Sequence, residues 1–181
     1  MRTLLLTAAA LLIGTPAQAT ILTMGSSYAE SCYRAADARD TRRNAKEICD
    51  QALGTEGLSD YDRMGTHVNR GILWMVTGNL DRAVQDFDAA LAIRPNEPEA
   101  WLNKGIAMIK AGNSRAALPM VEKAISLRTT RPEIAYYARA IANEDVGNLR
   151  AAYNDLKHAT RLAPRWREPA VELARYQVRS R

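Results

Sequence analysis

The stretch HVNRGILWMVTGNLDRAVQDFDAALAIRP, residues 67–95, decides the fold, because its landmarks return downstream in register. Gly71, Gly78-Asn79, Ala83, Phe87, Ala90 and Pro95 form the first set. Thirty-four residues on stand Gly105, Gly112-Asn113, Ala117, Val121 and Ala124. Thirty-five beyond those stand Ala140, Gly147-Asn148, Ala152, Leu156 and Ala159, with Pro164 closing the third set. Self-similarity at this period marks a solenoid of stacked units.

One unit holds two apolar segments of helical period split by Gly-Asn; in the first these are Met64–Thr77 and Leu80–Ile93. Gly78 suits a left-handed helix end and Asn79 a cap on the helix that follows. So short a connection makes the two helices antiparallel. Gly71 and Ala83 let their backbones approach, while Phe87 and Ala90 share Ala83's face at helical spacing. Pro95 stops the second helix, since its ring cannot extend the hydrogen-bond ladder. Asn96 with Glu99, and Thr130 with Glu133, read as capping boxes for the next helices. A single hairpin cannot bury its apolar faces, and stacked neighbours can. The expected fold is all-α, an α-solenoid of antiparallel helix pairs.

The flanks read differently. Arg2, an apolar run from Leu4 to Ile13, then Pro16-Ala17-Gln18-Ala19 form a secretory signal peptide, residues 1–19, with cleavage expected after Ala19. The run is about half the length of a membrane-spanning helix, and no Cys follows the cleavage point, so neither a membrane span nor a lipid anchor is expected. The address this implies is export across an inner membrane, periplasmic first and extracellular second. Cleavage removes Arg2, leaving 24 of the 25 basic side chains against 20 acidic ones. That surplus is modest; export and the lack of a basic-aromatic module speak against nucleic acid as a ligand.

Residues 20–63 hold a short tail, a degenerate helical hairpin (Tyr28–Ala38 and Arg42–Leu53, turning at Asp40-Thr41) and a polar joint from Gly54 to Asp62. The clear repeats occupy 64–166. Arg167 to Ser180 reads as a capping helix, with Val171, Ala174, Tyr176 and Val178 as its apolar contacts, because an end repeat otherwise leaves an apolar face in water. Cys32 lies eight residues before Asp40 and Cys49 eight after Thr41, which sets them at one height in an antiparallel hairpin. An exported protein meets oxidising conditions, so a Cys32–Cys49 disulfide is expected, ahead of a redox pair or half a metal site, for which neither CxxC nor a nearby His speaks.

Gly71, Ala83, Phe87, Ala90 and Pro95, then Trp101, Gly105, Ala117 and Ala124, then Tyr136, Ala140, Ala152, Ala159 and Pro164, resemble the tetratricopeptide repeat pattern. The likeness spans Met64 to Trp166 well and Ser26 to Leu53 weakly. It departs at Arg70, Lys104 and Arg139, where the family usually has Leu, at Asn143, where it has an aromatic, and at Thr129, where it has Pro. The resemblance implies a right-handed stack whose first helices line a groove for peptides or partner proteins. The groove positions it assigns are Val68, Asn69, Ile72, Met75 and Val76; Leu102, Asn103, Ile106, Ile109 and Lys110; and Tyr137, Ala138, Ile141, Glu144 and Asp145. That surface is mostly aliphatic, with one adaptable Met. Asn69 and Asn103 recur at the repeat period, and each side-chain amide has the donor and the acceptor needed to hold an extended backbone. Glu144 and Asp145 favour a basic partner end. Two fillings fit the stripe equally: a partner, or the chain itself.

The two histidines, His67 and His158, fall on different repeats, and no HExxH, phosphate loop or G-x-S-x-G is present. Asp37, Asp40 and Asp50, and Asp81, Asp86 and Asp88, stand near arginines and read as solvated faces and salt links. The expectation is an interaction scaffold with no enzymatic activity, no cofactor and no metal. The alternative is a structural subunit of a cell-envelope complex, docking through its convex face or through the basic C-terminal helix and tail (Arg165, Arg167, Arg175, Arg179, Arg181).

Overall fold

The computed structural model describes residues 20–21, 27–55 and 57–176. The expected leader and Val178 lie outside them. Within the described residues the chain is helical throughout: α1 Ser27–Asp37, α2 Arg43–Thr55, α3 Asp60–Val76, α4 Leu80–Ile93, α5 Pro98–Lys110, α6 Ser114–Ser126, α7 Pro132–Asp145, α8 Leu149–Leu162 and α9 Arg167–Leu173. The helices pair as α1/α2, α3/α4, α5/α6 and α7/α8. Each hairpin packs on the next, α2 on α3, α4 on α5 and α6 on α7, and the first helices α1, α3, α5 and α7 touch in series along one face. No helix among the described residues is long and apolar enough to cross a membrane.

The three Gly-Asn turns share one conformation. Gly78, Gly112 and Gly147 have φ of +82°, +79° and +86°, the left-handed region in which a Cβ is strained. Within the first clear hairpin, a Cβ on Gly71 would stand 2.6 Å from Phe87 Cε1; in the next, one on Gly105 would stand 2.6 Å from Val121 Cγ2. These two glycines set how closely α3 meets α4 and α5 meets α6. Phe87, Ala83 and Ala90 are fully buried, and so are Val121, Ala117 and Ala124.

Asn79 accepts a hydrogen bond from the Arg82 amide and caps α4. The capping boxes do not form. The N-cap of α5 is Glu97 and that of α7 is Arg131, neither with a side-chain cap bond. Glu99 instead reaches across one repeat: its Oε1 accepts from Thr129 Oγ1 (3.1 Å), Thr130 N (2.7 Å) and Thr130 Oγ1 (2.7 Å). Thr129 stands where the family has Pro, so its hydroxyl ties two repeats together where a ring would only have stopped a helix. Glu133 accepts from Arg131 Nε at 2.9 Å.

Three element boundaries differ from those expected. α3 begins at Asp60, four residues before Met64, because Ser59 caps it by accepting from the Asp62 amide, and α2 runs on through Thr55; the polar joint is shorter than Gly54–Asp62. α9 ends at Leu173, with Ala174 and Arg175 in a turn. There Val171 is exposed, while Leu173 and Tyr176 pack with Tyr137 and Leu156. Cys32 and Cys49 are joined, with Cα atoms 4.9 Å apart, and cross-link α1 to α2.

Candidate functional site: the first-helix face

The face of α1, α3, α5 and α7 is where the groove is expected, and it divides into two halves. In the N-terminal half Val68, Asn69, Ile72, Met75 and, on α5, Leu102 and Asn103 are all buried. Part of the cover is the chain's own Ile21, itself only 6% exposed. The Ile21 amide donates to Asn69 Oδ1 (3.0 Å), and Asn69 Nδ2 donates to the Ile21 carbonyl (2.7 Å). Thr20 Oγ1 donates to Asp37 Oδ1 at the end of α1 (3.4 Å). The asparagine does to this chain's own backbone what an amide can do to any extended peptide. Sequence reasoning left that filling open because the occupant lies 48 residues away.

In the C-terminal half, six of the expected residues, Ala138 among them, come together around one hollow. Ile106, Ile109, Lys110, Tyr137 and Ile141, with Ala138 and Ile134, line a space of about 50 Å³ between α5 and α7. Ile109 and Ile141 are half-buried and Lys110 is exposed. The Tyr137 ring meets Trp166 edge-on, 4.9 Å between centroids. Burial, then the carboxylates of Glu172, Glu168 and Glu144, push its phenol up to about 12, so it stays neutral. Ile134, a hollow residue outside the expected set, sits one turn before Ala138 on α7.

Glu144 and Asp145 are already engaged, which corrects the expectation of a site for a basic partner. Glu144 accepts from Arg175 Nη2 and Tyr176 Oη, both at 3.1 Å, and Asp145 accepts from Ser114 Oγ. The same contacts tie down Arg175, which also donates to Glu172. The arginine counted toward a basic docking tail therefore holds α9 against α7. A wide hollow of about 730 Å³ beside it is lined by Glu144, Leu149, Arg150, Tyr153, Asn154, Arg175 and Tyr176.

The polar departures from the family pattern pair within the stack. Arg70 donates to Asp86 through Nε (2.8 Å) and Nη2 (2.6 Å), and to Asp50 through Nη1 (2.6 Å). Two repeats on, Arg139 donates to Asp155 through Nε (2.8 Å) and Nη2 (2.7 Å). Asp86 and Asp155 are buried, so Asp86 belongs to an interior pair and not to a solvated face. Burial alone would raise the Asp86 carboxyl; hydrogen bonds from His67 and Arg70, and their charge, outweigh it and hold it below the usual carboxylate range. Asn143, replacing an aromatic, donates to Asp155 (3.4 Å) and accepts from Asn148 (3.3 Å). Lys104 reaches back to Asp88 at 2.5 Å. Among the described residues no group of three His, Cys, Asp or Glu side chains is placed to hold a metal ion.

Stacked antiparallel hairpins with Gly-turned connections and a continuous first-helix face define the class: a helical-repeat solenoid. Residues 77–143 match the model of the tetratricopeptide repeat family. Comparison with curated proteins gives no match. Among solved structures, MamA from Desulfovibrio magneticus is similar at 22% identity and a TM-score of 0.67, covering 82% of each chain. TTC0263, a tetratricopeptide repeat protein of Thermus thermophilus, aligns at 19% identity and 0.63, covering 82% of this chain and 78% of that one. The first such domain of RPAP3, bound to the HSP90 peptide SRMEEVD, aligns at 21% and 0.58, covering 62% and 88%. At these identities the likeness is one of fold.

Proposed function

We propose that this chain is an exported interaction scaffold that takes aliphatic side chains of a protein or peptide partner into the hollow between α5 and α7. The observation that carries the reading is that hollow: apart from the exposed Lys110, its lining is aliphatic and aromatic, on a half of the first-helix face that Ile21 does not cover. The RPAP3 domain with its bound peptide supports the use of this fold for peptides. That peptide carries three acidic residues, whereas Lys110 is the one base around the hollow. An aliphatic anchor therefore suits this chain better than a run of carboxylates.

The test is capture from the native compartment with tagged protein. Ile109→Glu and Ile141→Glu are each expected to remove the captured partner while far-ultraviolet circular dichroism stays unchanged, and Arg115→Glu on the exposed side of α6 is expected to leave capture intact. A partner that survives both isoleucine substitutions but disappears on removal of residues 167–181 would replace the groove by the C-terminal helix. Mass spectrometry of the exported form is expected to find Thr20 as its first residue; an intact Met1 would end the export reading.

A further inference from the structure

We infer that the first-helix face has a second, backbone-reading subsite at Asn69, that Thr20–Ile21 is its built-in occupant, and that an extended aliphatic segment of a partner binds by exchanging with it. The inference rests on the scaffold reading and names the partner chemistry and the regulation of that surface.

Asn69 is fully buried on α3, and both ends of its amide are spent on one residue, Ile21. That pairing matches what a neighbouring strand does for one residue of a β-ladder. It reads N–H and C=O and is indifferent to the side chain. Selectivity comes from around it. Ile21 packs into the same apolar cluster as Val68, Ile72 and Cys32, so the subsite takes an aliphatic side chain beside the clamped amide. The surroundings also make the occupant replaceable. One buried side chain, two hydrogen bonds and a 3.4 Å contact from Thr20 to Asp37 hold this segment, whereas the helices below are held by the packing of whole faces. A tethered occupant competes at a high effective concentration. A closed population of about 99% lowers the apparent affinity for any incoming segment roughly a hundredfold.

The experiment uses the chain from Thr20 onward and a C-terminally labelled peptide of residues 20–26, Thr-Ile-Leu-Thr-Met-Gly-Ser, read by fluorescence anisotropy. Ile21→Asp, which expels the tethered occupant without touching a helix, is expected to bind the peptide at least about tenfold more tightly than the parent. Adding Asn69→Ala to Ile21→Asp is expected to abolish that gain. Asn69→Asp, which keeps the acceptor and loses the donor to the Ile21 carbonyl, serves if the alanine variant does not fold. Equal binding by Ile21→Asp and the parent overturns the inference, as does a gain that neither Asn69 substitution diminishes. If partner capture still depends on Ile109 and Ile141 in that case, the scaffold reading stands and the exchange at Asn69 alone falls.

Discussion

Arg70 and Arg139 show how one residue can break a repeat's pattern without weakening the fold. Each stands where the family places Leu, and each reaches an aspartate sixteen residues later, buried on the next helix. Removing one partner of such a pair leaves an unpaired charge inside, at about 3–5 kcal/mol, while replacing both with apolar residues is often neutral. Asp86→Ala is expected to lower stability by less than that amount, because Arg70 keeps its bond to the exposed Asp50, and Arg70→Leu combined with Asp86→Leu to recover most of the loss, as chemical denaturation would measure. The pH dependence has a definite sign. Asp86 is held below its unfolded value, so its contribution is full above the ordinary carboxylate range and fades as pH falls through the lowered pKa. An Asp86→Ala variant that loses the same stability at every pH down to acid unfolding would contradict the pairing. At this scale the sequence was partly legible. The Arg and Asp residues read as salt links, but periodicity is blind to which aspartate turns inward.

The helix ends carry the next scale, and here local motifs misled. Thr130 with Glu133 and Asn96 with Glu99 have capping-box spacing, yet α5 and α7 begin at Glu97 and Arg131 without side-chain caps. Glu99 is drawn off by Thr129 and Thr130 of the following joint. A capping box is a contact within four residues, and a partner about thirty residues away outbid it; no local pattern encodes that choice. By contrast the Gly-Asn turns were legible, because a φ near +80° strongly favours glycine. The unusual start of α5 has a consequence. Burial, and then the neighbouring Glu99 carboxylate, raise the Glu97 carboxyl from 4.5 to about 7. Between those values the folded chain holds a proton that the unfolded chain has lost. Stability is therefore full near pH 4.5, declines as pH rises to about 7, and levels off above it. Glu97→Gln keeps a donor toward Glu99 and removes the decline. It is expected to raise the melting temperature by roughly 3 °C at pH 8, the effect being moderated by solvent screening at this half-exposed site, and to change little at pH 4.5. Equal melting temperatures at pH 8 would show that the two carboxylates do not oppose each other at that joint.

On the scale of the whole molecule, the repeat period alone was enough to read an all-α stack, because each hairpin needs its neighbours and little else. The first-helix face was legible in outline, since helical spacing says which side chains share it. Its occupant was not, because Ile21 belongs to no repeat. The first hairpin is the weak unit: it lacks the Gly-Asn turn, and Cys32–Cys49 closes a loop of 17 residues across it. Such a loop is worth about 3 kcal/mol on the chain-entropy account. In a stack with nearest-neighbour contacts that loss should stay local. α1 and α2 pack on α3, whereas α5 to α8 pack mainly on α3, α4, α9 and one another. Cys32→Ser with Cys49→Ser is therefore expected to speed hydrogen exchange throughout α1 and α2, with a smaller rise in α3 and almost none from α6 onward. Because Ile21 shares a cluster with Cys32 and Cys49, the same variant should also loosen Thr20–Ile21 and open the Asn69 subsite to the peptide. Uniform loss of protection across all repeats would mean that the solenoid folds as one cooperative block. The disulfide would then secure the whole stack and not only its first hairpin.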